Sequence, residues 1–471
     1  MSQARHAHRC VCTVACAPWH VRTVARAHSC MRHPLSNTVP SSGVTSLATP
    51  HFPTGAAAPG VCPVQHGPAG HTEERIPLYT AEFVADPHLA YREMRRRYGS
   101  LAPVELAPGV PATLVIGYST AVRILNDPNH FPADPRAWQK TVPENCPVLP
   151  MMAWLPAARN NDGPVHARYR SASAAAIDAI DVQSIYPMVE KIAITLINTF
   201  CRAGQADLVT QYAFPLVLEV LNQIVGCPED IGRRVAAGMA ARFDTVKSAQ
   251  AMPMLKEALL ELIRLKREHP GDDVTSRLVQ HPAQLDDVEV FAQLMSFYGA
   301  GFEAQRNLIT NALLLMITDD RFRFGDVLTN LSTIDALDEV LFDDPPMANF
   351  CTTYPRQPIT VDGVWLPADQ PVVISLAACN NDPEIRGADT PGGSSHGNRS
   401  HLAWSTGPHA CPARSVAYVT VQNAIDQLFD ALPEIQLAVP AEDLRRRPGP
   451  FHRALAALPV VFPSCPPLHI P

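Results

Sequence analysis

The stretch His401-Leu-Ala-Trp-Ser-Thr-Gly-Pro-His-Ala-Cys411-Pro-Ala-Arg414 decides how this chain is interpreted. It places a cysteine directly before a helix predicted to begin near Arg414, with Pro412 suited to the first helical turn. A thiolate in that position gains from the positive end of the helix and from free backbone N–H groups, which suits it to bind a metal. The alternative for any single cysteine is an inert, buried side chain, so the rest of the sequence has to decide.

The composition excludes several classes of protein. The chain has 471 residues, is 46% hydrophobic and carries a formal net charge of −7, which favours a globular protein without a nucleic-acid-binding surface. It contains no run of eighteen or more apolar residues, so we expect no membrane span. Its 12 cysteines are scattered, unlike those of a small disulfide-rich secreted domain. We therefore expect a cytoplasmic protein.

The first seventy residues differ in composition from the rest of the chain. They contain five of the cysteines and many histidines, followed by a segment rich in Pro, Gly, Ser, Thr and Ala. A metal-binding module is one interpretation, but the spacing Cys10-x-Cys12-x3-Cys16 lacks the paired C-x2-C geometry of a structural zinc site. We interpret residues 1–71 as a disordered leader or an incorrectly assigned start, residues 72–463 as one domain and residues 464–471 as a tail.

The pattern of residues 72–463 predicts a mainly α domain with a minor β region. Helices are predicted at Phe83–Tyr98, Pro187–Cys201, Leu208–Val225, Arg233–Ser248, Pro253–Glu268, Asp286–Thr318 and Arg414–Leu432. The helix at Asp286–Thr318 would be roughly 45 Å long and would run through the middle of the domain. A hairpin is predicted at Pro103–Tyr118 and a second strand region at Pro358–Leu376, while Gly392–Ser400 is predicted to be a loop.

Four further segments, taken with the Cys411 segment, resemble the motifs of the cytochrome P-450 superfamily in the family's order. The Cys411 segment is similar to Phe-Gly-x-Gly-x-His/Arg-x-Cys-x-Gly, with Trp404 for Phe, Ser405 for the first Gly and Ala413 for the last. The other four are Asp162–Arg170, Gly299–Gln305, Gly363–Ala368 and Asn381–Glu384. The resemblance covers about residues 72–463 and is closest to the soluble actinobacterial type.

This resemblance implies a haem b cofactor between the long central helix and the helix that follows Cys411. It implies that Cys411 is the axial thiolate of the haem iron and that Trp404 packs on the proximal side. The implied haem-binding residues also include Gly407 in the loop and, at the propionates, His166, Arg170, His409 and Arg356. The implied catalytic segment on the long helix contains Gly301, Glu303, Ala304 and Gln305.

Two departures from the family pattern stand out. The long-helix threonine that assists proton delivery in the family is Ala304, which cannot relay a proton, so water held by the Gly301 carbonyl, Glu303 or Gln305 would have to replace it. The family's Glu-x-x-Arg motif keeps Glu339 but has Phe342 in place of the arginine. Glu339 must therefore be exposed, protonated or paired elsewhere, with Arg356 and Arg399 as candidates. With both losses, the chain resembles an atypical actinobacterial subgroup that lacks this arginine.

The resemblance implies a monooxygenase that inserts one oxygen atom of O2 into a small, hydrophobic organic substrate, using electrons from a ferredoxin and its ferredoxin reductase. Residues 132–158 and Phe302 are expected to line the substrate pocket. One alternative is a haem-binding sensor or redox-regulatory partner in a signalling complex, with partners encoded in the same operon. Another is an enzyme that uses peroxide directly, which also fits the missing threonine.

Overall fold

The computed structural model describes residues 74–241, 248–322, 331–386 and 398–471, and these belong to one compact unit. The predicted leader, residues 1–71, lies outside the described residues, as does most of the predicted loop at Gly392–Ser400. Within the described ranges, no helix is long and apolar enough to cross a membrane.

The described residues are mostly helical. The α-helices in chain order are α1 (Ala81–Ala85), α2 (Pro87–Tyr98), α3 (Tyr118–Leu125), α4 (Leu149–Met152), α5 (Gly163–Asp178), α6 (Val182–Phe200), α7 (Phe214–Ile224), α8 (Glu229–Ala241), α9 (Ser248–Glu268), α10 (Val274–Gln280), α11 (Asp287–Thr318), α12 (Thr333–Asp343), α13 (Leu376–Asn380), α14 (Pro383–Arg386) and α15 (Arg414–Ala431). A short π-helix, Val209–Ala213, leads into α7. The mainly α prediction is confirmed.

The strands form a minor, separate part of the fold. They are β1 (Ile76–Pro77), β2 (Leu101–Ala107), β3 (Val110–Val115), β4 (Gln205–Asp207), β5 (Asn349–Thr353), β6 (Ile359–Val361), β7 (Val364–Leu366), β8 (Val372–Ser375), β9 (Gln436–Leu437) and β10 (Pro459–Val461). Strands β1-β2-β3-β8-β5 form one sheet, β4-β10-β9 a second, and β6-β7 a hairpin. Both predicted strand regions are therefore present.

The five-stranded sheet is buried on both faces. Leu114 of β3 pairs with Val373 of β8, and both join the cluster that contains the α2 side chains. Val115 and Ile374, one position further along, join a different cluster on the opposite face. This change of face follows from the two-residue period of a strand and explains the apolar character of both strands.

Helix α11 is the centre of the helical part. It begins at a capping box in which the Asp286 carboxylate accepts from the Glu289 N–H and the Glu289 carboxylate accepts from the Asp286 N–H. Along its length it packs against α7, α9, α12 and α15. The predicted helix Asp286–Thr318 is thus confirmed, and its core position places the Gly299–Gln305 segment inside the protein.

Candidate active site

The loop before Cys411 is a tight reversal that is closed by main-chain hydrogen bonds. The Cys411 N–H donates to the Trp404 carbonyl over 2.9 Å, and the Ser405 N–H donates to the Leu402 carbonyl over 2.7 Å. Ser405 has φ +58° and Gly407 has φ +72°. A Cβ on Gly407 would overlap the carbonyl oxygen of Leu125 at the end of α3, so glycine is required there for both its conformation and its size.

The Cys411 sulfur lies where opposing effects act on its ionisation. Burial is the largest effect and raises the pKa of the Cys411 thiol above its ordinary value, although a hydrogen bond from the Ala413 N–H and the charges of Arg170 and Arg414 act in the opposite direction. Helix α15 begins at Arg414, so Pro412 lies before its first turn. The prediction that Pro412 occupies the first turn is wrong. The surroundings of the sulfur therefore contain three groups that favour a thiolate.

Helix α5 brings two predicted residues to this loop. Arg170 donates from Nη2 to the Ala410 carbonyl over 2.6 Å, one residue before the cysteine. The His166 ring lies 4.6 Å from the His409 ring, centroid to centroid. The Nε2 atom of His409 is 3.3 Å from the Asp162 carboxylate at the start of α5. The i, i+4 spacing of His166 and Arg170 thus directs both side chains at one end of the Cys411 loop.

Two small residues form an exposed spot in the middle of α11, which is largely buried there. Ala300 is exposed and Ala304, one turn later, is partly exposed, although both lie in the middle of the helix. Phe302 is on the opposite side, fully buried, with its ring 4.9 Å from that of Phe214 in an edge-to-face contact. The prediction that Phe302 lines the substrate pocket is therefore wrong, because the apolar face of the helix holds it in the core.

Glu303 lies beside this small-residue face, but its carboxylate is occupied by arginines. Its Oε2 atom accepts from Arg447 over 2.5 Å and from Arg306 over 3.1 Å. Burial raises the pKa of Glu303, but the charges of Arg306 and Arg447 outweigh that effect and hold the pKa below its ordinary value. Gln305 is also engaged, since its Nε2 donates to the Gly301 carbonyl over 3.1 Å. Neither polar side chain is free to replace a hydroxyl at position 304 without rearrangement.

Comparison with known proteins places this geometry in a family, although no family model matches the chain. The chain is 27% identical over 392 residues to 2-hydroxy-5-methyl-1-naphthoate 7-hydroxylase of Streptomyces carzinostaticus, covering 80% of this chain and 95% of that enzyme. It is 28% identical over 402 residues to cytochrome P450 monooxygenase PikC of Streptomyces venezuelae, covering 80% and 92%. The solved structure of CYP154C4 from Streptomyces sp. ATCC 11861 matches with a TM-score of 0.74 at 26% identity, covering 83% and 99%.

This chain is a cytochrome P450. The family assignment, the haem b cofactor and a P450-type monooxygenase activity are thereby confirmed as predictions. Because the similar proteins are named as hydroxylases and monooxygenases, the comparisons do not favour the alternative of a sensor without turnover.

The side chains of this P450 fit the haem that its family carries. His166 Nε2 is buried and has no hydrogen-bond partner among the described residues. Together with the neighbouring Arg170 and His409 side chains, it belongs to a group of donors suited to carboxylates such as the haem propionates. Trp404 Nε1 is likewise buried with no partner in the described part of the chain, and its ring lies 6.5 Å from that of Tyr418. The cluster contains the orphaned donors that a buried anionic cofactor would satisfy.

Arg356, the fourth propionate candidate, makes no hydrogen bond to this cluster among those found in the described residues. It is exposed, and its charge acts on Asp134, whose pKa it helps to lower. The structure therefore brings His166, Arg170, His409, Trp404 and Cys411 together, and the role of Arg356 at the propionates stays a prediction.

Glu339 has a partner that the sequence did not predict. Its Oε1 atom accepts from Arg321 Nη2 over 2.6 Å, and Arg321 also binds Asp319. Arg399, one of the two candidates that we had considered, pairs with Asp338 over 2.7 Å, and Arg356 is elsewhere, so both suggestions for Glu339 are wrong. Arg321 follows the long helix by three residues, and no motif marks it.

Phe342, which replaces the motif arginine, is fully buried and packs against the start of the segment that leads to Cys411. Its ring lies 6.4 Å from that of His401 and carries the guanidinium of Arg386 4.9 Å from its centroid. Arg386 also forms an ion pair with Asp343. A guanidinium thus approaches the position of the missing arginine from another helix.

Cys351, which the sequence did not identify, places a second sulfur beside the Cys411 loop. It lies in β5 with φ +55°, and its thiol is hydrogen-bonded to the Ser405 side chain. Burial raises the pKa of the Cys351 thiol, and the nearby sulfur of Cys411 raises it further. The sequence Asn-Phe-Cys-Thr-Thr carries no signal for this position, which only the pairing of β5 with β8 establishes.

Proposed function

We propose that Cys411 is the thiolate ligand of the haem iron in this P450, and that the enzyme transfers one oxygen atom of O2 to a small, hydrophobic organic substrate. One observation carries the proposal: the Cys411 loop is joined to α5 by Arg170 at Ala410 and by the His166–His409 ring contact. A sulfur and a set of anion-binding side chains therefore lie at one place in the fold, as haem binding requires.

Haem supplies the redox chemistry of oxygen activation when it is bound. The side chains of this protein would position the haem and influence the ionisation of the Cys411 sulfur. The Ala413 N–H and the arginines at positions 170 and 414 favour the charged form of the Cys411 sulfur. Arg170 and His166 would hold one or both propionates by charge-assisted hydrogen bonds. Asp162 lies next to His409 and would orient its ring toward the same groups.

Proton access is the part of the reaction in which this enzyme departs from its family. The α11 face at Ala300 and Ala304 offers no side-chain hydroxyl, and Glu303 is held ionised between Arg306 and Arg447. Water next to Ala304 would have to carry protons past this ion pair. We expect Ala304→Thr to raise the product formed per NADPH consumed, with Ala300→Ser as a control hydroxyl one turn away. Equal coupling in wild type and Ala304→Thr would contradict this role for position 304.

A ferredoxin with its reductase is the electron donor in this proposal. Arg414 and Arg445 are exposed and suit an acidic partner. Arg446 and Arg447 do not contribute to such a surface, because they pair with Asp344 and Glu303 respectively. Product formation with ferredoxin and reductase, compared with the peroxide-driven yield, separates this proposal from direct peroxide use.

The substrate class follows from the small apolar face of α11 and from the similar proteins, one of which is named for a methylnaphthoate. We infer a small hydrophobic molecule and a cytoplasmic location. A spectral titration across compound classes tests the substrate class, since a bound substrate shifts the haem absorption band. No shift with any apolar compound would contradict it.

The ligand assignment is tested by the absorption spectrum of the reduced protein under carbon monoxide. We expect the red-shifted band of thiolate-ligated haem in wild type and its loss in Cys411→Ala. Cys351→Ala is the matched control, because this second sulfur lies next to the same loop. A band that persists in Cys411→Ala and disappears in Cys351→Ala would refute Cys411 as the ligand.

A further inference from the structure

The C-terminal tail is fixed on the end of α6 by paired hydrogen bonds. Leu468 donates its N–H to the Asn198 side-chain oxygen over 2.7 Å, and the Asn198 amide donates back to the Leu468 carbonyl over 2.9 Å. The Ser464 hydroxyl donates to the Arg202 carbonyl over 2.9 Å. The chain from residue 464 onward therefore follows a defined path over residues 198–202.

Two cysteines meet in the middle of this contact. The Cys465 N–H donates to the Cys201 carbonyl over 3.1 Å, so the two backbones are in direct contact at these residues. Such contact is compatible with a disulfide, which joins residues whose Cα atoms are about 4.4–6.8 Å apart. The two side chains are in hydrogen-bonding contact, and both thiols are free.

We propose that Cys201 and Cys465 form a reversible disulfide that fastens the C-terminal tail to α6. The oxidant is a low-molecular-weight disulfide such as glutathione disulfide. The Cys465 thiolate attacks one of its sulfurs and expels a glutathione thiolate, which gives a mixed disulfide. The Cys201 thiol then loses its proton, attacks the Cys465 sulfur and expels the second glutathione. Two protein thiols and one glutathione disulfide thus give one protein disulfide and two glutathione thiols.

The accessibility of the two thiols sets the order of these steps. Cys465 is partly exposed and can meet the oxidant, whereas Cys201 is fully buried and can react only with its neighbour. Burial and the adjacent Cys201 raise the pKa of Cys465, so oxidation is expected to accelerate as the pH rises. The ring closed by the disulfide would include the Cys411 loop and α15, which packs on α6. It does not depend on the ligand assigned to the haem.

The test is peptide mapping of the full-length holoprotein after incubation with glutathione disulfide, without reduction. We expect a cross-linked peptide that joins Cys201 to Cys465 and disappears in Cys201→Ser and in Cys465→Ser. Cys227→Ser is the control, because Cys227 is half-buried and contacts the Tyr298 hydroxyl instead of a thiol. Absence of the cross-link in wild type, or glutathione left attached to Cys465, would overturn the proposal.

A second measurement examines the fastening of the tail. Because a cross-link restricts the unfolded chain, the oxidised wild type should unfold at a midpoint about 5 °C above that of the reduced protein. The double variant Cys201→Ser/Cys465→Ser should show no shift under the same treatment. A cross-linked protein with an unchanged midpoint would overturn the claim that the disulfide fastens the tail.

Discussion

Removing Arg321 should destabilise this P450 through Glu339, the remaining acid of the family motif. The Arg321→Gln variant removes the guanidinium that lies 2.6 Å from the Glu339 carboxylate. The hydrogen bonds that Arg321 donates to the Asp319 and Glu339 carboxylates raise its pKa, so the lost group is fully charged at neutral pH. What remains is a largely buried carboxylate on α12 without that cation.

The exposure of the pair sets the magnitude. The Glu339 side chain is 13% exposed and that of Arg321 is 38% exposed, so the pair lies between surface pairs and fully buried ones. Surface pairs contribute about 0–1 kcal/mol, and breaking buried pairs costs about 3–5 kcal/mol. We therefore expect a loss of about 2 kcal/mol. With an unfolding entropy of about 2.1 cal/mol/K per residue over roughly 400 residues, the melting midpoint should fall by about 2–3 °C.

A double-mutant cycle separates the pair from the other contact of Arg321. The variants Arg321→Gln, Glu339→Gln and their combination are compared by urea unfolding and by haem content, and we expect a coupling of at least about 1 kcal/mol. Arg233→Gln is the control, because its ion pair with Glu229 is exposed on α8. A coupling below about 0.3 kcal/mol, or equal losses in Arg321→Gln and Arg233→Gln, would refute the assignment of Arg321 as the partner of Glu339.

Three further changes have expected outcomes. Gly407→Ala should lower the free energy of unfolding by about 3 kcal/mol or more and lower the haem content. Gly109→Ala, at the same φ of +72° but with nothing within 4 Å, should lower it by only about 1–2 kcal/mol. Equal losses in thermal unfolding would contradict the overlap at Gly407. A hydrogen-bonded arginine lowers the pKa of Glu289 from 4.5 to about 2, so its contribution is complete above pH 4.5 and is lost as the pH falls toward 2. Glu289→Gln should remove this part of the pH dependence in urea unfolding, and an unchanged slope between pH 5 and 2 would contradict it. Phe342→Arg restores the family motif but should lower haem content, because the new guanidinium would be repelled by that of Arg386. A rise in haem content would contradict this expected repulsion.

Local sequence signals predicted most of the fold. The hairpin of β2 and β3 followed from two short apolar stretches around a Pro-Gly turn, and α11 followed from a stretch of about thirty residues without proline. The predicted helix Phe83–Tyr98 is instead divided at Asp86, which ends α1 and caps α2. An Asp-Pro pair is a helix-start signal, so this division could have been predicted. The π-helical turn before α7 carries no comparable signal.

The candidate site divides in the same way between local and tertiary information. The i, i+4 spacing of His166 and Arg170 was sufficient to predict that both lie on one helix face, but not that this face meets the Cys411 loop. Sequence could not show that Phe302 faces the core, since the helix is apolar on several sides. Nor could it identify Arg321 as the partner of Glu339, because that pair depends on how the chain turns after α11.

The arrangement around α12 explains how this P450 can lack the motif arginine. Asp338 of α12 accepts from Arg399 and from the Tyr418 hydroxyl, and Tyr418 lies against Trp404. Independently, the buried Asn380 side chain donates to the Leu341 carbonyl over 3.0 Å and accepts from the N–H of Leu402, at the start of the ligand segment, over 2.7 Å. These contacts hold the segment before Cys411 on α12, whereas the Glu339–Arg321 pair joins α12 to the turn after α11. Attachment of that segment to α12 therefore does not depend on an arginine at position 342.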